Sequence, residues 1–219
     1  LSHGRVSVRA VFQPAMEVGG DYFDVFSLAG ERLVVAIGDV AGHGLSTGLL
    51  MASLKSSVAA LVHEGYSGVD LIERVNRLLL AHGEARTMVT LMVVEFEPAT
   101  GALRIANAGH PPSVLLAAGE PPRELMMSSV PMGSPLCRPV ATEERLRGGG
   151  RLVLYSDGLV EAVSPAGEPF GYERLLELLE AGAGLDGESL TSAVLASLAD
   201  FTGGAPRADD LTLLLIEHA

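Results

Sequence analysis

The sequence predicts an α+β fold in which two sheets are covered by helices. Two series of short apolar segments are each followed by a pair of helical segments, the order expected of strands and the helices that cover them. A doubly wound parallel sheet would instead alternate single strands and single helices. The 219 residues and the 48% hydrophobic content suffice for a substantial core, so we predict a single domain over residues 1–219.

The first half of the chain predicts three strands followed by two helices. Residues 6–12 alternate apolar and polar side chains, which is the period of a half-buried strand. A hairpin turning around residues 29–31 is expected, and a glycine-rich turn precedes the first helix. The apolar residues of the second helix recur on one face. The predicted elements are strands 6–12, 23–28 and 33–37 and helices 45–63 and 69–82.

The second half predicts further strands, a second helix pair and a final strand. The segment 118–150 is rich in proline and is expected to hold only short strands. The predicted elements are strands 88–96, 103–107, 114–117 and 151–155, helices 172–180 and 188–200, and a strand over 211–217.

Composition excludes several classes of function. A formal net charge of −12 argues against nucleic-acid binding, because no basic stripe is present to release counterions from phosphates. The single cysteine, Cys137, excludes an internal disulfide and suits a reducing, cytoplasmic compartment. We find no apolar run of transmembrane length and no signal peptide, so no membrane partner is expected for this segment. Leu1 in place of an initiator Met leads us to expect a fragment of a longer chain with upstream regulatory domains.

Four apolar runs each meet an aspartate at one end. Two runs finish in Asp39 and Asp157, and two begin with Asp21 and Asp209. If these runs are antiparallel neighbours, the acids collect at one edge of the sheets. Clustered carboxylates repel, so they persist only with cations, protons or water between them. Any one aspartate is explained as well by a turn or a helix cap, but four with matching strand polarity favour an oxygen-ligand site for magnesium or manganese.

Five short motifs follow one another along the chain. They are Glu17-Val18-Gly19-Gly20-Asp21-Tyr22-Phe23-Asp24, Gly38-Asp39-Val40-Ala41-Gly42-His43-Gly44, Ala106-Asn107-Ala108-Gly109-His110, Tyr155-Ser156-Asp157-Gly158 and Asp209-Asp210-Leu211-Thr212. In this order they resemble the metal-dependent protein phosphatase (PPM, type 2C) family, and most closely its bacterial SpoIIE/RsbU-like branch. The similarity runs from residue 8 to residue 217, and any one motif alone would be a weak signal.

The resemblance implies a four-layer αββα sandwich of two antiparallel sheets flanked by antiparallel helices, with two Mn²⁺ or Mg²⁺ ions at one sheet edge. Family members hydrolyse phosphoserine or phosphothreonine on proteins with a metal-bound water and without a covalent phosphoenzyme. By position, Asp21 and Asp39 bridge or flank the ions, and the backbone carbonyl of Val40 is a further ligand. Asp157 and Asp209 complete the shell of one ion, so the four aspartates are the implied catalytic residues.

Four other positions have supporting or open roles. Asp210 stands where many relatives have Asn, and the resemblance implies that it supports the ligands. Asp24 is expected to be a hydrogen-bonding neighbour of the site. Glu161 matches one ligand of a third metal that some relatives bind, but His110 replaces the other, so a third ion is left open.

The resemblance also implies a biological setting. In the SpoIIE/RsbU-like branch the substrate is usually a phosphorylated anti-anti-sigma (STAS-domain) protein in bacterial stress or sporulation signalling. Branch members often carry sensor or receiver domains before the phosphatase domain, and many dimerise, so a homodimer is left open. The alternative is a non-catalytic PPM-fold module that binds a partner. Such a module predicts broken metal positions, whereas all four main carboxylates are present.

Overall fold

The chain forms two compact units. The computed structural model describes residues 2–3, 5–29, 32–42, 44–81 and 88–218. Unit 1 comprises Leu1–Met16, Pro111–Leu125 and Leu146–Ala219, and unit 2 comprises Glu17–His110 and Met126–Arg145. All strand pairings among the described residues are antiparallel, and each unit contains one sheet with helices. The predicted α+β class is therefore confirmed.

The predicted elements agree well with those observed. The bounds of the first helix and of the strand over 151–155 are confirmed, and the largest difference is at the second hairpin strand, which continues to Val40. Residues 30–31 of the predicted turn and residue 82 of the predicted second helix lie outside the described residues. In chain order the elements are β1 (Ser2–His3), β2 (Val6–Gln13), β3 (Asp21–Ser27), β4 (Leu33–Val40), α1 (Leu45–His63), α2 (Gly68–Ala81), β5 (Val89–Glu97), β6 (Ala102–Ala108), β7 (Ser113–Leu116), β8 (Arg123–Leu125), β9 (Val140–Arg145), β10 (Arg151–Tyr155), α3 (Asp157–Val160), α4 (Gly171–Ala181), α5 (Gly187–Thr202) and β11 (Leu211–His218).

Unit 2 is a five-stranded sheet with strand order β3-β4-β5-β6-β9. Its helices α1 and α2 pack on one face, where Val34 and Ala36 of β4 share a core with Val58 of α1 and Ile72 of α2. These four side chains are fully buried, and burying an aliphatic side chain of the size of Val or Ile contributes about 1.5–3 kcal/mol. The core therefore anchors β4 close to its end at Val40.

Helix α1 is the described helix that is long and apolar enough to cross a membrane by length and composition. The prediction that the chain has no apolar run of that length is therefore wrong for this segment. Its residues Leu54, Val58 and Val62 are buried in the core of unit 2. These contacts account for the apolar character of that side of α1, whereas Leu45 and Leu49 near its start are exposed.

Unit 1 is a six-stranded sheet with strand order β1-β2-β11-β10-β7-β8. Helices α4 and α5 pack on it, and Val153 and Leu213 of the sheet share a core with Leu175 of α4 and Leu190 of α5. Strands β10 and β11 are antiparallel neighbours. The end of β10 and the start of β11 therefore lie at the same edge of the sheet.

Candidate metal centre

Two aspartates face each other at one edge of the unit 2 sheet. Asp21 begins β3, and its direct cross-strand partner is Asp39 near the end of β4. Directly opposite residues project to the same face with Cβ atoms roughly 4.5–5.5 Å apart. Because the core residues of β4 that face the helices have even numbers, the two carboxylates lie on the opposite face of the sheet. The strand polarity that the sequence predicted is confirmed for this pair.

The carbonyl oxygen of Val40 lies beside this pair, and Gly20 leaves room for it. A Cβ atom on Gly20 would lie 2.7 Å from the carbonyl oxygen of Val40 and 2.8 Å from Oδ1 of Asp39, so only glycine fits here without displacing one of them. The N–H of Val40 also donates to the carbonyl of Gly20, at 3.1 Å. Two carboxylates and a carbonyl are the hard oxygen ligands that Mg²⁺ and Mn²⁺ prefer. We call Asp21, Asp39 and the Val40 carbonyl the unit 2 acidic edge, and its donor set fits such an ion.

Asp24 lies on the other face of the same strand. Its Oδ1 accepts the N–H of Val25 at 3.1 Å, and its Oδ2 forms an ion pair with Lys55 of α1 at 3.3 Å. An odd spacing of three residues from Asp21 places the two side chains on opposite faces. Asp24 thus links β3 to α1.

The unit 1 sheet has its own pair of aspartates at one edge. Asp157 is the first residue of α3 and is separated from β10 by Ser156, and Asp209 is separated from β11 by Asp210. The two segments touch at Gly158, where a Cβ atom would lie 1.9 Å from the carbonyl oxygen of Asp210 and 3.4 Å from the Cβ of Asp209. We call Asp157 and Asp209 the unit 1 acidic edge.

Backbone and hydroxyl hydrogen bonds hold the unit 1 acidic edge. The N–H of Ser156 donates to the carbonyl of Thr212 at 3.0 Å, and the N–H of Thr212 donates to Oγ of Ser156 at 2.9 Å. The carboxylate of Asp210 is buried, and its Oδ1 accepts the N–H of Ala15 at 2.8 Å. Oδ1 of Asp209, which is exposed, accepts the N–H of Asp210 at 2.8 Å. Asp210 therefore stabilises the loop that carries Asp209.

Negative charge accumulates around Asp157. Burial raises the pKa of its carboxyl group, and the neighbouring charges of Asp209 and Glu161 raise it further. Backbone hydrogen bonds lower this pKa but do not outweigh the other causes. Glu161 directly follows α3, and its N–H donates to the carbonyl of Asp157 at 2.8 Å. A divalent cation would supply the missing counter-charge, because a bound ion is often the largest local charge in such a site.

Within each unit, no three His, Cys, Asp or Glu side chains of the described residues are grouped as metal ligands. Each acidic edge thus offers two carboxylates, and the metal roles of the individual residues stay predictions. Thr90 was not predicted from the sequence; its hydroxyl accepts the N–H of Asp39 at 3.0 Å. Nothing in the sequence identifies Thr90 until the register of β4 and β5 is known. His110 lies next to it, with Nδ1 at 2.9 Å from the Thr90 hydroxyl.

Known proteins resemble this chain in fold and in sequence. The crystal structure of the RsbU and RsbW domains of Rv1364c from Mycobacterium tuberculosis matches with a TM-score of 0.86 and 28% identity, over 97% of this chain and 60% of that one. Protein IcfG of Synechocystis sp. is 27% identical over 95% of this chain and 37% of its own length. Phosphoserine phosphatase RsbP of Bacillus subtilis is 28% identical over 74% of this chain and 41% of its own length. The chain thus spans less than half the length of these two relatives.

These likenesses place the chain in the class of PP2C-type phosphatase domains, the class that the motifs predicted. Residues 29–219 match the family Stage II sporulation protein E (SpoIIE). The chain belongs to the SpoIIE family, and the predicted family is confirmed.

Proposed function

We propose that this chain is a metal-dependent protein serine/threonine phosphatase that hydrolyses phosphoserine or phosphothreonine on a protein substrate. The observation that carries the proposal is the cross-strand pairing of Asp21 with Asp39 beside the Val40 carbonyl. Membership of the SpoIIE family supports it, as does the relative RsbP, which is a phosphoserine phosphatase. A non-catalytic module would have no need to retain these donors.

The proposed cofactors are two Mn²⁺ or Mg²⁺ ions. Their proposed ligands are the carboxylates of Asp21, Asp39, Asp157 and Asp209 and the carbonyl of Val40. When bound, such ions would activate a water for attack on phosphorus and neutralise the charge of the phosphoryl group. We propose no ligand role toward these two ions for Glu161 or His110.

The chain's own residues have separate tasks in this scheme. Asp21 and Asp39 are presented by paired strands, so their separation is set by the ladder. Asp157 and Asp209 are held by the contact at Gly158. Burial and neighbouring charge disfavour the ionised form of Asp157, which prepares this position for a cation. The buried Asp210 and the ion-paired Asp24 support the elements that carry the ligands.

The proposed substrate is a phosphorylated anti-anti-sigma (STAS-domain) protein in bacterial stress or sporulation signalling. The support is the resemblance of the five motifs to the SpoIIE/RsbU-like branch. We further propose one phosphatase domain over residues 1–219 of a longer, cytoplasmic protein with upstream regulatory domains. The proposal of further domains is supported by the greater length of the two relatives, of which the chain matches 37% and 41%.

The test is release of phosphate from a phosphorylated STAS-domain protein and from a phosphoserine peptide, with Mn²⁺ or Mg²⁺. We expect turnover by the wild type and a loss of at least about 100-fold in Asp39→Asn, because removing a ligand should cost more than removing a group that supports one. The matched control is Asp200→Asn, an exposed aspartate at the end of α5. No turnover by the wild type on either substrate, or equal turnover by Asp39→Asn, contradicts the proposal. Turnover of the peptide alone contradicts only the STAS-domain substrate.

A further inference from the structure

We infer that Thr90 is a positioning residue for the ligand Asp39, and that His110 orients Thr90 through its ring. This inference rests on the proposed function, because it concerns a metal ligand proposed above. It is carried by a continuous series of hydrogen bonds within unit 2 that runs from Asn107 through His110 and Thr90 to the backbone of Asp39.

The first step joins Thr90 to Asp39. The two residues are direct cross-strand partners on β5 and β4. The N–H of Asp39 donates to the side-chain oxygen of Thr90 at 3.0 Å. The strands approach closely here, since a Cβ atom on Gly38 would lie 2.3 Å from the carbonyl oxygen of Thr90. The hydroxyl therefore fixes the backbone of Asp39 at the point where its carboxylate leaves the strand.

The second step joins Thr90 to His110. Oγ1 of Thr90 and Nδ1 of His110 are 2.9 Å apart, and His110 is only 5% exposed. A hydroxyl has one hydrogen and two lone pairs, so it accepts the Asp39 N–H and still bonds the ring. Either neutral tautomer of the imidazole makes this contact, by accepting from the hydroxyl or by donating to it. The ring thus limits the rotation of the Thr90 side chain.

The third step fixes the backbone of His110. The backbone N–H of His110 donates to Oδ1 of Asn107 at 3.0 Å. Nδ2 of Asn107 donates to the backbone carbonyl of His110 at 2.9 Å and to that of Met127 at 3.0 Å. Asn107 is completely buried, and these bonds use both hydrogens of its amide. The turn between them needs a glycine, because Gly109 has a φ of 73° and its Cβ position would lie 2.5 Å from the ring of Pro131.

These contacts give the Asn-Ala-Gly-His motif a task that does not require His110 to touch a metal or the substrate. Asn107 fixes the backbone of His110, and the ring of His110 fixes the hydroxyl of Thr90. That hydroxyl in turn fixes the backbone of Asp39, a proposed carboxylate ligand. Groups that orient metal ligands in this way typically account for 10–100-fold in metal affinity. We therefore expect the effect of Thr90 to appear in Mn²⁺ affinity.

The experiment is calorimetric titration of the full chain with Mn²⁺ alone. Thr90→Val removes the hydroxyl while keeping the shape, and we expect its dissociation constant to rise about tenfold. Thr90→Ser restores the hydroxyl and should return the constant to within about twofold of the wild type. The matched control is Thr191→Val, which removes a buried hydroxyl that donates to the carbonyl of Gly187 in α5. It should lower the melting temperature and leave Mn²⁺ affinity unchanged.

If Thr90→Val does not fold, a second pair of variants tests the same contact from the side of His110. His110→Leu removes the ring nitrogen, whereas His110→Asn places an amide at the position of Nδ1; only the first should weaken Mn²⁺ binding. Because both residues act through one series of contacts, Thr90→Val combined with His110→Leu should be no worse than either alone. Wild-type affinity in Thr90→Val and His110→Leu overturns this inference and leaves the proposed function intact. Absence of Mn²⁺ binding by the wild type overturns both.

Discussion

The unit 2 acidic edge is built from a regular β-ladder, whereas the unit 1 acidic edge is built from a one-turn helix and a loop. Asp21 and Asp39 are cross-strand partners whose spacing is a property of the ladder. Asp157 and Asp209 lie outside the strands and are brought together by close backbone contact at Gly158. The first arrangement depends on register, and the second depends on packing.

The two edges should therefore respond differently to the same kind of substitution. In unit 2 a Cβ atom at position 20 would lie 2.7 Å from the backbone carbonyl oxygen of Val40 and 2.8 Å from Oδ1 of Asp39, which belongs to a side chain that can rotate away, so the overlap is smaller than the 1.9 Å approach at Gly158. In unit 1 the glycine at position 158 faces a backbone carbonyl that cannot move independently. We therefore expect the same kind of substitution to damage metal binding in unit 2 and stability in unit 1.

The largest effect is expected from Gly158→Ala. The added methyl group would lie 1.9 Å from the carbonyl oxygen of Asp210, so the backbone must shift. The free energy of unfolding should fall by about 3 kcal/mol, the upper end of the usual cost of overpacking. Urea unfolding measures this change. The control is Gly184→Ala, where the new methyl group meets nothing within 4 Å. Equal stability of the two variants would remove packing as the basis of the unit 1 acidic edge.

An intermediate effect is expected from Gly20→Ala. The new Cβ atom would displace Oδ1 of Asp39 and crowd the carbonyl of Val40, two proposed ligands. We expect the Mn²⁺ dissociation constant to rise about tenfold or more, with a smaller loss of stability than in Gly158→Ala. Calorimetry and urea unfolding on the same sample separate the two quantities. Unchanged Mn²⁺ affinity would show that this glycine does not shape a metal site.

The smallest effect is expected from Asp157→Asn in buffer without divalent ions. Burial and the charges of Asp209 and Glu161 raise the pKa of Asp157 in the folded state, so the ionised form destabilises the fold at neutral pH. Replacing it with a neutral amide should raise the melting temperature by about 2 °C.

The size of this gain depends on pH. The penalty is complete above the raised folded pKa and disappears as the pH falls below the unfolded pKa, so the advantage of Asp157→Asn should vanish in acid. Added Mn²⁺ should raise the melting temperature of the wild type and much less that of the variant. A variant that melts below the wild type at neutral pH without metal would contradict this account of the unit 1 acidic edge.

The strands, the helices and the meeting of the acids at a sheet edge could be predicted from the sequence, whereas the contacts that position the acids could not. Strands that begin with Asp21 and end near Asp39 allow only one antiparallel arrangement in which the two acids meet, and the ladder confirms it. The short helix α3 was not predicted, because four residues are too few for a periodic pattern. Thr90 was not predicted either, since its role depends on a side chain meeting the backbone of a neighbouring strand. Such contacts follow from register, which composition and spacing do not specify.

The register of β3 against β4 has a consequence for how the protein reaches its native state. A slip of one residue would turn Asp39 to the opposite face of the sheet, away from Asp21. A misregistered hairpin would therefore lack the pair of donors, whatever its remaining stability. A divalent ion would bind only the alignment in which the two carboxylates meet, and it would therefore stabilise that register over the others. Retained Mn²⁺ in a purified sample would report correctly paired chains.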